Sequence, residues 1–230
     1  MENGVWRTIR GRRVFIKDGQ SVSEAFKNLY KSVKEESELD NNNTKFKLKN
    51  LINEDGTVNE TIALYGTNPD KGQYNCQRTA AVYSKRLQGE DIVAKLSEKD
   101  LNSNNYDIIL QNSRTLFEGI NSDKDWTWVS TKSSGIRQIT KDIKNAGDGS
   151  IFLVRVAWNK NSGGYGSSHQ FVGRNKGGKV IFEDPQNKTF DCMNYITKDS
   201  LWGSTAWVRV DGREIKKQYR SLIYEENKNK

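Results

Sequence analysis

The stretch SSHQFVGRNKGGKVIFEDPQ, residues 167–186, holds His169, the single histidine of a 230-residue chain. It reads as two strands joined through KGG, whose glycines suit a tight hairpin. Alternation puts His169 on one strand face with Phe171 and Gly173. The second strand, KVIFEDP, ends at Asp184 just before Pro185. Pairing the two strands brings Asp184 toward His169 across the ladder. A carboxylate there would accept the Nδ1–H of the imidazole and leave Nε2 facing a third group.

Cys76 is the candidate for that third group. In NCQRTAAVYSKRLQGE, Asn75 is a good N-cap residue, so the helix starts near Cys76 and stops near Gly89. Backbone N–H groups and the helix dipole stabilise a thiolate at such a start. Ala80, Ala81 and Val82 behind it are small and let the helix pack closely on a sheet. Cysteine, histidine and aspartate in this order supply a nucleophile, a base and an orienter. Taken singly, each has an ordinary reading: a buried inert thiol, a satisfied histidine, a turn residue before proline. The joint pattern is far more specific than its parts.

The rest of the chain is organised around these elements. Residues 5–17, VWRTIRGRRVFIK, alternate as a short hairpin turning at Arg10-Gly11. The next segment has Val22, Phe26, Leu29 and Val33 at helical spacing, with Ser21 and Glu24 as a capping box. The polar run at 40–45 reads as a linker, dividing an extension, residues 1–45, from a domain over 46–230. Within 106–121 the pattern is ambiguous and partly helical. SSGIRQITKDIKNAGDGS is a helix with Ile136, Ile139 and Ile143 on one face, ended by Gly147. SIFLVRVAW (150–158) reads as a buried central strand, TAWVRV (205–210) as another, and REIKKQYRSLIYEE (213–226) as a final helix. Helices first and antiparallel strands second make an α+β arrangement.

Composition narrows the function classes. Hydrophobic residues are 34% of the chain and the mean hydropathy is −0.85, so six Trp, nine Tyr and eight Phe must supply much of the core. No run of 18 apolar residues predicts a membrane helix, and the first residues lack the apolar centre of a secretory signal. The net charge of +8 is spread along the chain and interleaved with acids, which disfavours nucleic acid as a partner. Trp126 and Trp128 in DKDWTWVS alternate as on a strand and read as core rather than as a stacking platform. One histidine and two cysteines without a CxxC pair argue against a metal, and no cofactor is expected. Cys192 lacks a helix-start context and reads as a packed core cysteine.

Asn-Cys-Gln-Arg at 75–78, the strand ending in Trp158, the glycine-rich approach NSGGYG to His169 and Asp-Pro-Gln at 184–186 resemble papain-fold toxin domains of the glutamine deamidase type. The resemblance covers roughly residues 60–200. Thr79 and Ser168 depart from the family's pattern without touching Cys76, His169 or Asp184. VWRTIRGRRVFIKDGQS separately resembles the segment before toxin domains in MuF-like phage head proteins.

The resemblance implies a papain-like cysteine hydrolase fold with the nucleophile helix packed on an antiparallel sheet. It implies Cys76 as nucleophile, His169 as base and Asp184 as orienter, acting on a glutamine side chain of a target protein. The Cys76 N–H is the natural first oxyanion donor. Gln73 is a candidate for the second, and Gln186 for support of the Asp184 turn or the pocket rim. An immunity protein is an expected partner. The expected setting is a secreted or particle-delivered effector acting in a target-cell cytoplasm. The same machinery serves a cysteine protease or a transglutaminase, and a non-catalytic phage-associated binding module is the reading from a different class.

Overall fold

A computed structural model of the chain describes residues 4–9, 12–19, 50–129, 132–157, 168–199 and 205–227. The expected helix after residue 20, the boundary at 40–45, Trp158 and the glycine-rich loop lie outside the described residues. The chain divides into two compact units, residues 1–47 and 48–230. In the first, β1 (Gly4–Ile9) pairs antiparallel with β2 (Arg12–Lys17), with Ile9 opposite Arg12, the register expected for a turn at Arg10-Gly11.

The second unit is built on a five-stranded sheet in which all neighbours are antiparallel. Its strands are β4 (Thr127–Val129), β5 (Ile151–Ala157), β6 (Ser168–Lys176), β7 (Lys179–Glu183) and β8 (Thr205–Arg209), in the spatial order β4-β8-β5-β6-β7. The continuous apolar run of β5 is explained by its central position, covered on both faces. Gly177 and Gly178 both take positive φ, 57° and 78°, which lets Lys176 pair with Lys179 across a two-residue turn.

One face of the sheet packs on α2 (Cys76–Arg86). Ile151, Leu153, Val172, Ala206 and Val208 meet Ala80, Ala81, Val82 and Tyr83 there. The other face packs on α4 (Lys132–Asn145), whose buried Ile139 and Ile143 meet Phe152, Val154, Phe171, Phe182 and Trp207. The 3.6-residue period of α4 and the two-residue period of the strands thus interlock as expected. Trp126 is buried and donates its indole N–H to the Arg114 carbonyl at 2.8 Å, while Trp128 is 43% exposed, so only the first is core.

Helix α2 is buried along its whole length although its sequence is polar. This is possible because each of its cations finds an acceptor. Arg78 forms a two-pronged pair with Asp107 at 2.9 and 3.0 Å, Lys85 meets Glu90 and Glu214, and Arg86 meets Asp91 and three carbonyls. Asp107 is itself the cap of α3 (Ile108–Gln111), a single turn in the segment whose sequence was ambiguous. The short α1 (Glu60–Tyr65) also packs on α2.

The C-terminal segment differs from expectation. Only Lys217–Ile223 is helical (α5), and Tyr224–Glu226 forms a strand, β9, paired antiparallel with β3 (Ile92–Ala94). Ile215 makes a bridge with Phe117 before the helix begins. Glu225 and Glu226 are good helix formers; tertiary pairing with the apolar Ile92-Val93-Ala94 overrides that preference.

Candidate active site

Cys76 opens α2 and is 7% exposed. Asn75 holds the N-cap position, but its side chain makes no cap hydrogen bond, contrary to the role its residue type suggests. Its amide donates instead to Asn68 Oδ1 at 3.1 Å and to the Lys95 carbonyl at 3.2 Å. Asn68 in turn holds both backbone groups of Gly72. A Cβ on Gly72 would lie 2.6 Å from the Asn75 side chain, so only glycine lets this loop close. The effect is a rigid approach to Cys76 in which the first N–H groups of α2 are not claimed by the cap residue.

His169 begins β6 and is 7% exposed. Its Nε2 lies 2.9 Å from Asp184 Oδ2, and a side-chain hydrogen bond joins it to Cys76. The three expected residues are therefore brought together. The ring is turned the opposite way from expectation, with Nε2 rather than Nδ1 on the carboxylate. Strand spacing sets which side of the ring each partner occupies; the ring torsion decides which nitrogen meets it, and no spacing encodes that.

Asp184 follows β7 and is fully buried. The register ends with Glu183 opposite Val172, so Asp184 reaches His169 diagonally. Its turn is closed by reciprocal backbone bonds with Thr189 at 2.8 and 2.9 Å. Besides His169, Oδ2 accepts from Asn187 Nδ2 at 2.7 Å and the Tyr195 hydroxyl at 3.1 Å, and Oδ1 accepts the backbone N–H groups of Gln186 and Asn187. Burial pushes the carboxyl up, but the bonds from His169 and Asn187 outweigh it and hold it below its ordinary value. Burial likewise disfavours the imidazolium, yet Asp184 and Cys76 raise the His169 pKa to about 9.

Gln186 joins the two halves of the site. Its Nε2 donates to Asn75 Oδ1 at 3.2 Å and to the Gly72 carbonyl at 3.3 Å, while its own N–H bonds Asp184 at 2.9 Å. Gln73 is placed differently. Its side chain is exposed, and its backbone N–H, with that of Tyr74, is held by Asp100 at 2.7 and 3.0 Å.

The sequence reading missed Asn187 and Tyr195. The first sits three residues from Asp184 in an Asx-rich turn and was discoverable; the second comes from a separate helical turn, Tyr195–Asp199, with no motif around it. Tyr195 also packs edge-on against His169, 5.7 Å between ring centres. Cys192 is fully buried in the α4-side core, and burial pushes its thiol well above the usual range. Among the described residues, no three His, Cys, Asp or Glu side chains gather as a metal site, and no helix is long and apolar enough to cross a membrane.

A cysteine at a helix start, facing a histidine that a buried carboxylate holds, on an antiparallel sheet, defines the papain-like class. The chain belongs to the family described as papain fold toxin 1, glutamine deamidase, which matches residues 74–189, half of the sequence. The match starts two residues before Cys76 and ends five after Asp184. No curated protein and no solved structure matches the chain.

Proposed function

We propose that this protein is a cysteine-dependent deamidase that converts glutamine side chains of a target protein to glutamate. The observation that carries the reading is His169, whose Nε2 lies 2.9 Å from Asp184 Oδ2 and whose pKa is raised by both Asp184 and Cys76. With its pKa raised to about 9, the ring holds a proton at neutral pH, the form that stabilises a Cys76 thiolate beside it. The thiolate attacks the carboxamide carbon, and the oxygen takes the negative charge, facing the N–H at the start of α2. His169 gives its proton to the departing nitrogen, so ammonia leaves and a thioester remains. His169 then takes a proton from water, the hydroxide attacks the thioester, and glutamate leaves as the thiolate is restored.

Asp184 keeps the ring oriented through these steps, and Gln186 keeps the Asp184 turn in register with the Cys76 loop. Gln73, exposed and tied only through its backbone among the described residues, receives no oxyanion role in this reading. Action inside a target cell, restrained by an immunity protein in the producer, is part of the same reading.

The test is peptide mass spectrometry of proteins from cells expressing wild type or Cys76→Ala. The expected result is a gain of about 1 Da at a particular glutamine with wild type only, since the thioester route needs the sulfur. New chain termini would replace deamidation by proteolysis, and glutamine–amine crosslinks would replace it by transglutamination. Identical proteomes would leave the triad without a reaction.

A further inference from the structure

Among the described residues of the second unit, three arginines are buried, and each has a carboxylate. Arg78 has Asp107, Arg86 has Asp91, and Arg174 has both Glu183 and Glu60. Arg155, on the central strand β5, has no carboxylate partner among the described residues. Its guanidinium is held by two neutral hydroxyls, Ser113 Oγ and Ser168 Oγ, each at 3.0 Å. An arginine taken partly out of water without an anion bears a desolvation cost that no carboxylate offsets.

Directly opposite Arg155 in the β5–β6 register stands Gln170. It is 1% exposed, and neither its Nε2 nor its Oε1 has a hydrogen-bond partner among the described residues. An unmade pair of amide bonds in the interior is costly and uncommon. Arg155, Ser168 and Gln170 alternate onto the sheet face that carries α2, and Ser168 and Gln170 flank His169 in sequence. A cation without a carboxylate and an amide without hydrogen bonds therefore stand opposite one another in the register, one residue along from the His169 pair. Burial pulls the Arg155 pKa down and the Arg114 charge lowers it further, while Cys76 and the Asp123 carboxylate, itself paired with Arg114, raise it without outweighing them.

We infer that Arg155 and Gln170 form a subsite beside Cys76 that receives a carboxylate of the substrate close to the target glutamine. The half-buried guanidinium supplies the charge, and the more deeply buried Gln170 carboxamide supplies a further N–H donor. The inference rests on the deamidase reading for its substrate, but the subsite can be read without catalysis. A carboxylate can come from an acidic side chain flanking the glutamine or from the α-carboxylate of a glutamine at a chain end.

The first measurement is the rate of alkylation of Cys76, followed by peptide mapping, with anionic iodoacetate and neutral iodoacetamide. Wild type is expected to favour iodoacetate relative to Arg155→Gln by about tenfold, with Arg155→Lys in between and the iodoacetamide rates alike. The second uses wild type alone and measures ammonia release from end-blocked glutamine peptides carrying Glu or Gln beside the target, and from glutamine with a free α-carboxylate. A preference of about 10- to 100-fold in kcat/KM for the Glu peptide supports the subsite with a side-chain source, and the same preference for free glutamine supports it with the α-carboxylate. Equal alkylation ratios in wild type and Arg155→Gln, or ammonia release indifferent to every carboxylate, overturns the subsite while leaving deamidation standing. An iodoacetate preference without ammonia from any peptide supports the subsite and removes the deamidase reading instead.

Discussion

Strand β6 carries a buried charge cluster at each end, and the two behave oppositely. At its start, His169 meets Asp184 and Cys76. Near its other end, Arg174 forms bonds of 2.7 and 3.0 Å to Glu183 and a further one to Glu60, while Tyr83 of α2 donates to Glu183 at 2.9 Å. The second cluster locks its protons. Burial opposes the Arg174 charge, but Glu60 and Glu183 raise its pKa above the ordinary arginine value. Burial would push Glu60 up, yet Arg174 and Lys176 bring it down to about 2. The first cluster is built around a ring whose proton has somewhere to go. One strand thus shows what separates a structural ion pair from a reactive one: not burial, which they share, but whether the cation can give up its proton.

The comparison can be broken by substitution. Arg174→Met leaves Glu183 buried beside the Tyr83 hydroxyl without its cation, and should cost about 3–5 kcal/mol in denaturant unfolding. Deamidation per folded molecule should be unchanged. A variant of full stability, or one that folds but has lost turnover, would show that the two clusters are not separate.

Asp184→Asn comes next. It puts an amide where Oδ1 and Oδ2 accept from five groups, so donors must face donors, at a cost of about 1–3 kcal/mol. Turnover should fall by roughly 10²- to 10⁴-fold as the ring loses its orienting charge. Turnover close to wild type in steady-state ammonia release would remove Asp184 from the mechanism.

The pH dependence sharpens the contrast. His169 has a folded value of about 9 against an ordinary 6.5, so its contribution to stability is complete below about pH 6.5 and is lost as pH rises toward 9. Glu60 has a folded value of about 2 against 4.5, so its contribution is complete above about pH 4.5 and is lost only in acid. The stability gap between wild type and His169→Gln, measured by urea unfolding from pH 5 to 9.5, should therefore shrink with rising pH. The gap to Arg174→Met should not shrink over the same range, because the carboxylate left without its cation resists ionisation and weakens the variant as pH rises. Parallel curves for the two variants would contradict the assignment.

The smallest effect belongs to Tyr195→Phe. It removes one of three donors to Asp184 Oδ2 and keeps the ring packing on His169, for about 0.5–1.5 kcal/mol. Turnover should fall no more than about tenfold. A loss as large as that of Asp184→Asn would promote Tyr195 from support to a direct role.

Much of this site was legible before any coordinates, and for definite reasons. The hairpin register follows from Gly177-Gly178 and the alternation of its strands, so the approach of Asp184 to His169 was a local inference. Cys76 does open a helix at the position that Asn75 marked, although the cap bond that suggested it is not made. The α4 face was readable from Ile136, Ile139 and Ile143. What escaped was set by partners distant in sequence: Asn75 serves Asn68, Lys95 and Gln186 instead of its own helix, and Tyr224–Glu226 leaves the helical pattern to pair with Ile92–Ala94.

The sequence by itself determined the order of elements, the hairpin and the three residue types whose chemistry fits acyl transfer, because periodicity, turn glycines and residue chemistry act over a few positions. Only the tertiary structure decided which imidazole nitrogen faces Asp184, that Tyr195 and Asn187 complete its shell, and that, among the described residues, Arg155 has hydroxyls but no carboxylate and Gln170 has no hydrogen-bond partner. Those facts depend on side-chain torsions and on contacts between segments far apart in the chain. Neither is set by local spacing, and both are resolved only when packing forces a single arrangement.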